Sequence, residues 1–154
     1  MIINATLCYL RRDRYTLMLY RNKKPDDIHQ GKWNGLGGKF EAGETPEECA
    51  CREVREESGL IPDELVLKGV LTFPCFDGVN DWVVFVYVIP AFHGDVIPSP
   101  EGRLEWIPDH KLLSIELWEG DRIFLPWLEK PGFFSGKFVY KDGSLLHHKV
   151  SFYM

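Results

Sequence analysis

The chain has 154 residues, of which 45% are hydrophobic and 27% charged. That balance is typical of a globular domain and excludes a disordered chain, a collagen-like fibre and a disulfide miniprotein. Lys plus Arg number 18 against 23 Asp plus Glu, a net charge of −5, so stable nucleic-acid binding, which needs a basic surface, is not expected.

The length suits one domain over residues 1–154. Residues 2–10 read as a β-strand, and Tyr15 to Tyr20 as its hairpin partner across Arg11-Arg12-Asp13-Arg14. Residues 22–32 are polar, contain Pro25 and Gly31, and read as a loop. Trp33 to Phe40 is dense in glycine, which favours tight turns and close backbone approach. A well-signalled helix follows. Thr45 is a good N-cap, Pro46 fits the first helical position, Glu48 completes a capping box and Gly59 is a natural stop. Ala50 and Val54, with Cys51 beside Val54, form its inward stripe. Leu65 to Phe73 and Trp82 to Ile89 then read as strands, with Asp77-Gly78-Val79-Asn80 as the turn between them. Arg103 to Ile107 is a short strand. Residues 121–130 look helical, with Pro126 kinking or shortening the helix. Phe138 to Lys141 and Leu145 to Phe152 flank Asp142-Gly143, a strong hairpin signal. The order is that of an α+β or α/β chain, a mixed β-sheet with helices packed on it.

Cys8, Cys49, Cys51 and Cys75 form no CxxC pair, and no His/Cys cluster completes a zinc site. Met1 opens no signal-peptide pattern, and the longest apolar run, Trp82 to Phe92, is too short to span a bilayer and contains Pro90. Free thiols in a reducing cytoplasm, with no membrane partner, are therefore expected. Phe133, Phe134 and Trp127 mark either an interface, such as that of a homodimer, or the core.

Charge is unevenly spread. Residues 1–39 carry eight Lys/Arg and three Asp, whereas residues 40–154 carry ten Lys/Arg and twenty Asp/Glu. A basic arm beside an acidic cluster suits a polyphosphate clamped by a metal, although charge alone is equally met by surface heterogeneity. The informative stretch is Gly38 to Leu60. Glu53, Glu56 and Glu57 sit at i, i+3 and i+4, so they share one face of the helix. Like charges at that spacing repel, and a cation between them reverses the sign. Hard carboxylate oxygens suit Mg²⁺ or Mn²⁺ rather than zinc.

More than three glutamates is present. Gly38 is followed after five residues by Glu44, and after seven more by Arg52-Glu53-Val54-Arg55-Glu56-Glu57-Ser58-Gly59-Leu60. This matches the Nudix box, GX5EX7REUXEEXGU with U apolar, at every defined position. Seven fixed positions at background frequencies of about 1 in 15 give a chance match on the order of one in a million. The chain resembles a Nudix hydrolase, and its element order fits that fold, an α/β/α sandwich. The resemblance implies that Gly38 offers its carbonyl to a metal and that Glu53 and Glu57 are the main metal ligands. Glu56 is then a further ligand, or the group that positions or deprotonates the attacking water. Arg52 holds Glu44 or Glu56 through its planar fork. Divalent metals offset charge on phosphate oxygens and acidify water, and members of the family split X from a nucleoside diphosphate linked to X.

Outside the box, Lys32-Trp33-Asn34-Gly35-Leu36-Gly37-Gly38-Lys39 looks like the segment that precedes it in MutT-like enzymes acting on oxidised purine triphosphates. There an Asn at the position of Asn34 bonds the base edge, which an amide suits by donating and accepting at once. The bland alternative is a turn residue before Gly35. Leu117-Trp118-Glu119-Gly120-Asp121 resembles the Trp-Pro-Asp-Asp segment of the same subgroup, in which the Trp stacks on the base and the acids read its edge. Trp118 is then a base platform or a core residue. Asp121 matches the second acid, or is the N-cap of the following helix, while Gly120 stands where the first acid would be. Glu101, with Glu105 as rival, has the spacing before Trp106 of an additional metal-binding or catalytic Glu. Lys23 and Lys39 are candidate phosphate contacts, and Thr6 could line the base pocket. The implied activity is Mg²⁺-dependent hydrolysis of a nucleoside triphosphate such as 8-oxo-dGTP to the monophosphate and pyrophosphate. The rivals are another nucleoside diphosphate derivative and a non-catalytic nucleotide-binding module, which would have had no need to retain Glu53, Glu56 and Glu57.

Overall fold

In the computed structural model, which describes residues 1–154, a mixed sheet takes strands from both ends of the chain. The strands are β1 (Ile2–Arg12), β2 (Tyr15–Arg21), β3 (Trp33–Asn34), β4 (Ile61–Phe73), β5 (Asp81–His93), β6 (Gly102–Pro108), β7 (Phe133–Lys141) and β8 (Ser144–Tyr153). Their order is β3-β2-β1-β5-β4-β7-β8, with β6 also paired to β2. The β1/β5 and β4/β7 pairs are parallel and the rest antiparallel. The helices are α1 (Pro46–Ser58) and the short α2 (Glu119–Phe124), which tightens into a 3-10 turn over Leu125–Glu129 where Pro126 stands.

Side-chain alternation along β1 divides the core in two. Cys8 and Leu10 pack with Leu36, Tyr87 and the α1 residues Ala50 and Val54. Ala5 and Tyr9 pack on the other side with Trp118, Phe124, Trp127, Phe134 and Phe138. The sheet thus lies between α1 and α2, the expected α/β/α arrangement. Trp127 and Phe134 belong to this core, and Phe133 is only half-buried. No helix is long and apolar enough to cross a membrane.

α1 forms as its ends dictate. Thr45 accepts from Glu48 N, Glu48 accepts from Thr45 N, and Gly59 closes the helix with φ of 79°. The buried stripe is Cys49, Ala50 and Val54, all at 0% exposure, and not Cys51, which stays half-buried beyond the stripe's edge. β4 and β5 run longer than their sequence pattern suggests. Bulges between Pro62 and Glu64, Glu64 and Val66, and Leu67 and Gly69 break the alternation that would reveal the start of β4. β5 continues past Pro90 because β1 stops pairing at Leu10↔Ile89, so the missing N–H costs no bond to β1.

One departure from a plain hairpin builds the site. β1 and β2 pair only at Arg11↔Thr16 and Arg12↔Tyr15, beside the turn made by Asp13 and Arg14 with φ of 53° and 66°. They then part, and the glycine-dense segment enters the gap. β3 joins β2 at Leu19↔Asn34, and the chain continues along β1 through bridges Cys8↔Leu36 and Ala5↔Lys39. Gly37 is required there: its φ is 132°, and a Cβ would lie 2.2 Å from the Thr6 carbonyl oxygen. The inserted segment brings Gly38 against the acidic face of α1.

Candidate active site

The acidic face does not meet its cleft evenly. At about 100° per helical residue, Glu57 lies about 40° to one side of Glu53 and Glu56 about 60° to the other. Glu57 falls on the buried flank and is 4% exposed. Glu53 has a side chain 17% exposed, and Glu56 one 57% exposed. Glu53 and Glu57 line a cavity of about 960 Å³, whereas Glu56 stays at the surface outside it. The shared face expected from the spacing thus presents two carboxylates to the cavity and a third at its outer edge.

Arg52 organises this group. Its Nε and Nη2 donate to the two oxygens of Glu44 at 2.6 and 2.9 Å. Its Nη1 donates to Glu53 at 2.8 Å and more weakly to Glu56 at 3.3 Å, and Nη2 also reaches the Lys39 carbonyl. The fork holds the Glu44 carboxyl down to about 2. Glu53 goes the other way, raised by burial despite Arg52. Glu57 has no ion-pair partner. It accepts the Gly37 N–H at 2.7 Å, yet burial, reinforced by the charges of Glu53 and Glu101, pushes its carboxyl up to about 8. A Cβ at Gly38 would lie 2.6 Å from the Glu53 carboxyl carbon, so a side chain there would displace that carboxylate.

This donor set fits a hard divalent cation. Buried carboxylates without a counter-charge are costly unless a cation joins them, and every donor is oxygen. An ion here would draw on Glu53 and Glu57, which line the same cavity, together with further oxygen donors. The Gly38 carbonyl is adjacent but already accepts the Thr6 N–H at 2.9 Å. Glu101 lines the same cavity, where it is paired with Lys24 at 2.7 Å and Arg21 at 3.4 Å. Glu105 lies exposed on β6 beside Arg103 and takes no part in the cavity.

Asn34, Trp118 and Asp121 line the same cavity, as do Lys23 and Lys39. Lys23 Nζ donates to the Ser99 carbonyl at 2.5 Å, joining two loops, and Lys39 Nζ sits 5.5 Å from the Trp82 ring centre. Thr6 faces α1, in parity with Cys8, and its hydroxyl is 3.5 Å from the Gly38 oxygen. Thr6 nevertheless lines the cavity, together with its β1 neighbours Ala5 and Leu7. Asp121 lies inside α2 and does not cap it; Trp118 holds the N-cap position with no side-chain capping bond. Burial raises the Asp121 carboxyl to about 7. Below it the Tyr9 hydroxyl is buried without a partner, and Asp121 adds to the burial that keeps Tyr9 protonated.

Three aromatic residues around Trp118 have no signal in the sequence. His29 Nδ1 accepts the Trp118 indole N–H at 2.8 Å, and burial and Arg21 push the imidazole down to about 4. Phe76 meets the Trp118 ring edge-on at 5.1 Å, and Tyr140 does so at 5.4 Å. They come from a polar loop, a turn and a distant strand, and no spacing links them.

A family model for the NUDIX domain matches residues 1–128. The chain belongs to the Nudix family. This Nudix protein is 34% identical over 141 residues to an uncharacterized Nudix hydrolase of Bacillus subtilis, covering 88% of this chain and 85% of that one. It is 35% identical over 112 residues to the oxidized purine nucleoside triphosphate hydrolase of Mus musculus, covering 73% and 72%. The crystal structure of a MutT protein from Bacillus halodurans superposes with a TM-score of 0.84 at 32% identity, covering 96% of this chain and 97% of that one. The Nudix chain is thus a MutT-like hydrolase of pyrophosphate bonds. Nudix hydrolases generally use divalent metal ions.

Proposed function

We propose that the protein is a Mg²⁺-dependent nucleoside triphosphate diphosphatase acting on oxidised purine nucleotides such as 8-oxo-dGTP. The observation that carries this reading is a single cavity lined both by Glu53 and Glu57 of α1 and by Asn34, Trp118 and Asp121. The two glutamates suit a metal and phosphates; the other three residues suit a flat, hydrogen-bonding ring.

In this reading Trp118 stacks on the base, and stacking contributes roughly 1–3 kcal/mol. Asn34 and Asp121 bond the base edge. Lys23 and Lys39 meet the phosphates, with Lys23 giving up its bond to Ser99. Water attacks phosphorus at the α–β bridge, the bridging P–O bond breaks, and the monophosphate and pyrophosphate leave. The water's proton passes to a carboxylate of the α1 set. Arg52 keeps Glu53 and Glu44 in register. Glu53 and Glu57, with Glu101 or the Gly38 carbonyl, would hold Mg²⁺, which would supply charge compensation on the phosphate oxygens and acidify water. The four free cysteines suit a reducing cytoplasm.

The test is steady-state kinetics on normal and oxidised nucleotides with and without Mg²⁺. A kcat/KM for 8-oxo-dGTP well above that for dGTP is expected. Equal values would remove the pool-cleansing role while leaving the hydrolase.

A further inference from the structure

Gly120 stands where the resembling subgroup carries its first acid, and here a side chain has no room. A Cβ at Gly120 would lie 2.6 Å from the Tyr140 hydroxyl oxygen and 2.8 Å from Phe138 Cδ1. The space is occupied by the Tyr140 phenol, whose oxygen accepts the Gly120 N–H at 2.6 Å. A phenol has one proton to donate in addition to its accepting capacity. Accepting from Gly120 leaves that proton unspent, and the bond to Gly120 is the sole hydrogen bond of the Tyr140 side chain. Burial raises the phenol's titration, with the charges of Asp121 and Glu119 adding to it, so the proton stays on. The ring is fixed by edge contacts to Trp118 at 5.4 Å and Phe76 at 5.5 Å. Tyr140 lines the same cavity as Trp118 and Asp121.

We propose that the Tyr140 hydroxyl is a specificity-determining donor that selects purines with a carbonyl at the 6 position over those with an amino group there. Tyr140 acts in the base pocket of the proposed function, so its role rests on that reading. A fixed, largely desolvated O–H is satisfied by a carbonyl oxygen and confronted by N–H protons when an amino group takes its place. A site built to pair with one group rejects the analogue that leaves its buried polar atom unpaired. With Gly120 in place of the acid, a donor replaces a group that could switch between donor and acceptor. The pocket is therefore narrower than one with two acids, favouring guanine-type over adenine-type bases.

Turnover of 8-oxo-dGTP and 8-oxo-dATP by wild type and Tyr140→Phe tests this. Wild type is expected to prefer 8-oxo-dGTP in kcat/KM. Tyr140→Phe should lower that preference about fivefold to tenfold, the scale of one neutral hydrogen bond, chiefly through KM for 8-oxo-dGTP. An unchanged ratio in a folded variant overturns the proposal. Calorimetric binding of 8-oxo-dGMP and 8-oxo-dAMP to wild type needs no variant; tighter binding of 8-oxo-dGMP supports the proposal and equal affinity overturns it. Should 8-oxo-dGTP prove no better than dGTP, the oxidised-purine reading fails, while the dGTP-to-dATP ratio in the two proteins still decides the role of Tyr140.

Discussion

The two ends of the cavity are built on opposite principles. The phosphate end comes from one contiguous stretch, Gly38 to Leu60, whose glycines, arginine and glutamates are fixed by a single helix and the loop before it. It holds carboxylates under stress: Glu57 is pushed up to about 8 by burial, with no cation beside it. The base end comes from four separate segments and is held by aromatic edges and single hydrogen bonds around Trp118. The first gathers buried carboxylates that a cation would stabilise; the second is held by packing between aromatic rings. Changes at the two ends should therefore separate kinetically.

The largest effect is expected at the phosphate end. Glu57→Gln should lower kcat on the order of a hundredfold to a thousandfold, the scale of losing one aligned electrostatic stabiliser. The same change removes an ionisable group whose burial opposes folding at neutral pH, so the metal-free variant should unfold at a higher temperature than wild type. Opposite signs in activity and stability are the signature to look for.

At the base end, Trp118→Ala should raise KM by roughly tenfold to a hundredfold, following the loss of about 1–3 kcal/mol of stacking. Its kcat should fall much less than that of Glu57→Gln. A variant in which kcat and KM change together would mean that the two ends are not separable.

Arg52→Lys sharpens the phosphate end. It keeps the charge and loses the fork to Glu44 and Glu53. An activity loss of about tenfold to a hundredfold is expected, the scale of removing a group that orients a metal ligand. Wild-type kcat in Arg52→Lys would show that charge alone suffices.

The smallest effect is a pH dependence of stability. Glu53, Glu57 and Asp121 all have carboxyls raised in the folded state, the last two to about 8 and about 7. The unfolded chain gives up these protons first, near the ordinary carboxylate range. In the metal-free protein this contribution is therefore fully present below that range and is lost as pH rises to about 8. Thermal unfolding across pH measures it. Adding Mg²⁺ should restore stability at the upper end, where Glu53 and Glu57 are ionised.

The sequence discloses these ends unequally, for physical reasons. Thr45, Pro46, Glu48 and Gly59 mark α1 because capping is local chemistry. Spacing puts Glu53, Glu56 and Glu57 on one face, but which edge of the face is buried depends on how α1 rolls against the sheet, and that separates Glu57 from Glu56. Strand parity has the same weakness: the Thr6 hydroxyl turns to the Gly38 carbonyl, although Thr6 lines the cavity along with Ala5 and Leu7. Asn34 and Trp118 are visible only through the company they keep in the sequence. Tyr140, Phe76 and His29 are invisible, since their meeting depends on β7, the turn after β4 and a long loop folding to one place.

The central claim is that Glu53 and Glu57 hold a divalent ion at the phosphate end. Mn²⁺ binding, read as loss of the free ion's electron paramagnetic resonance signal, tests it most directly in wild type and Glu57→Gln. Wild type should bind Mn²⁺ in competition with Mg²⁺, and Glu57→Gln should bind it at least about tenfold more weakly. Equal affinity in the two folded proteins would contradict the account.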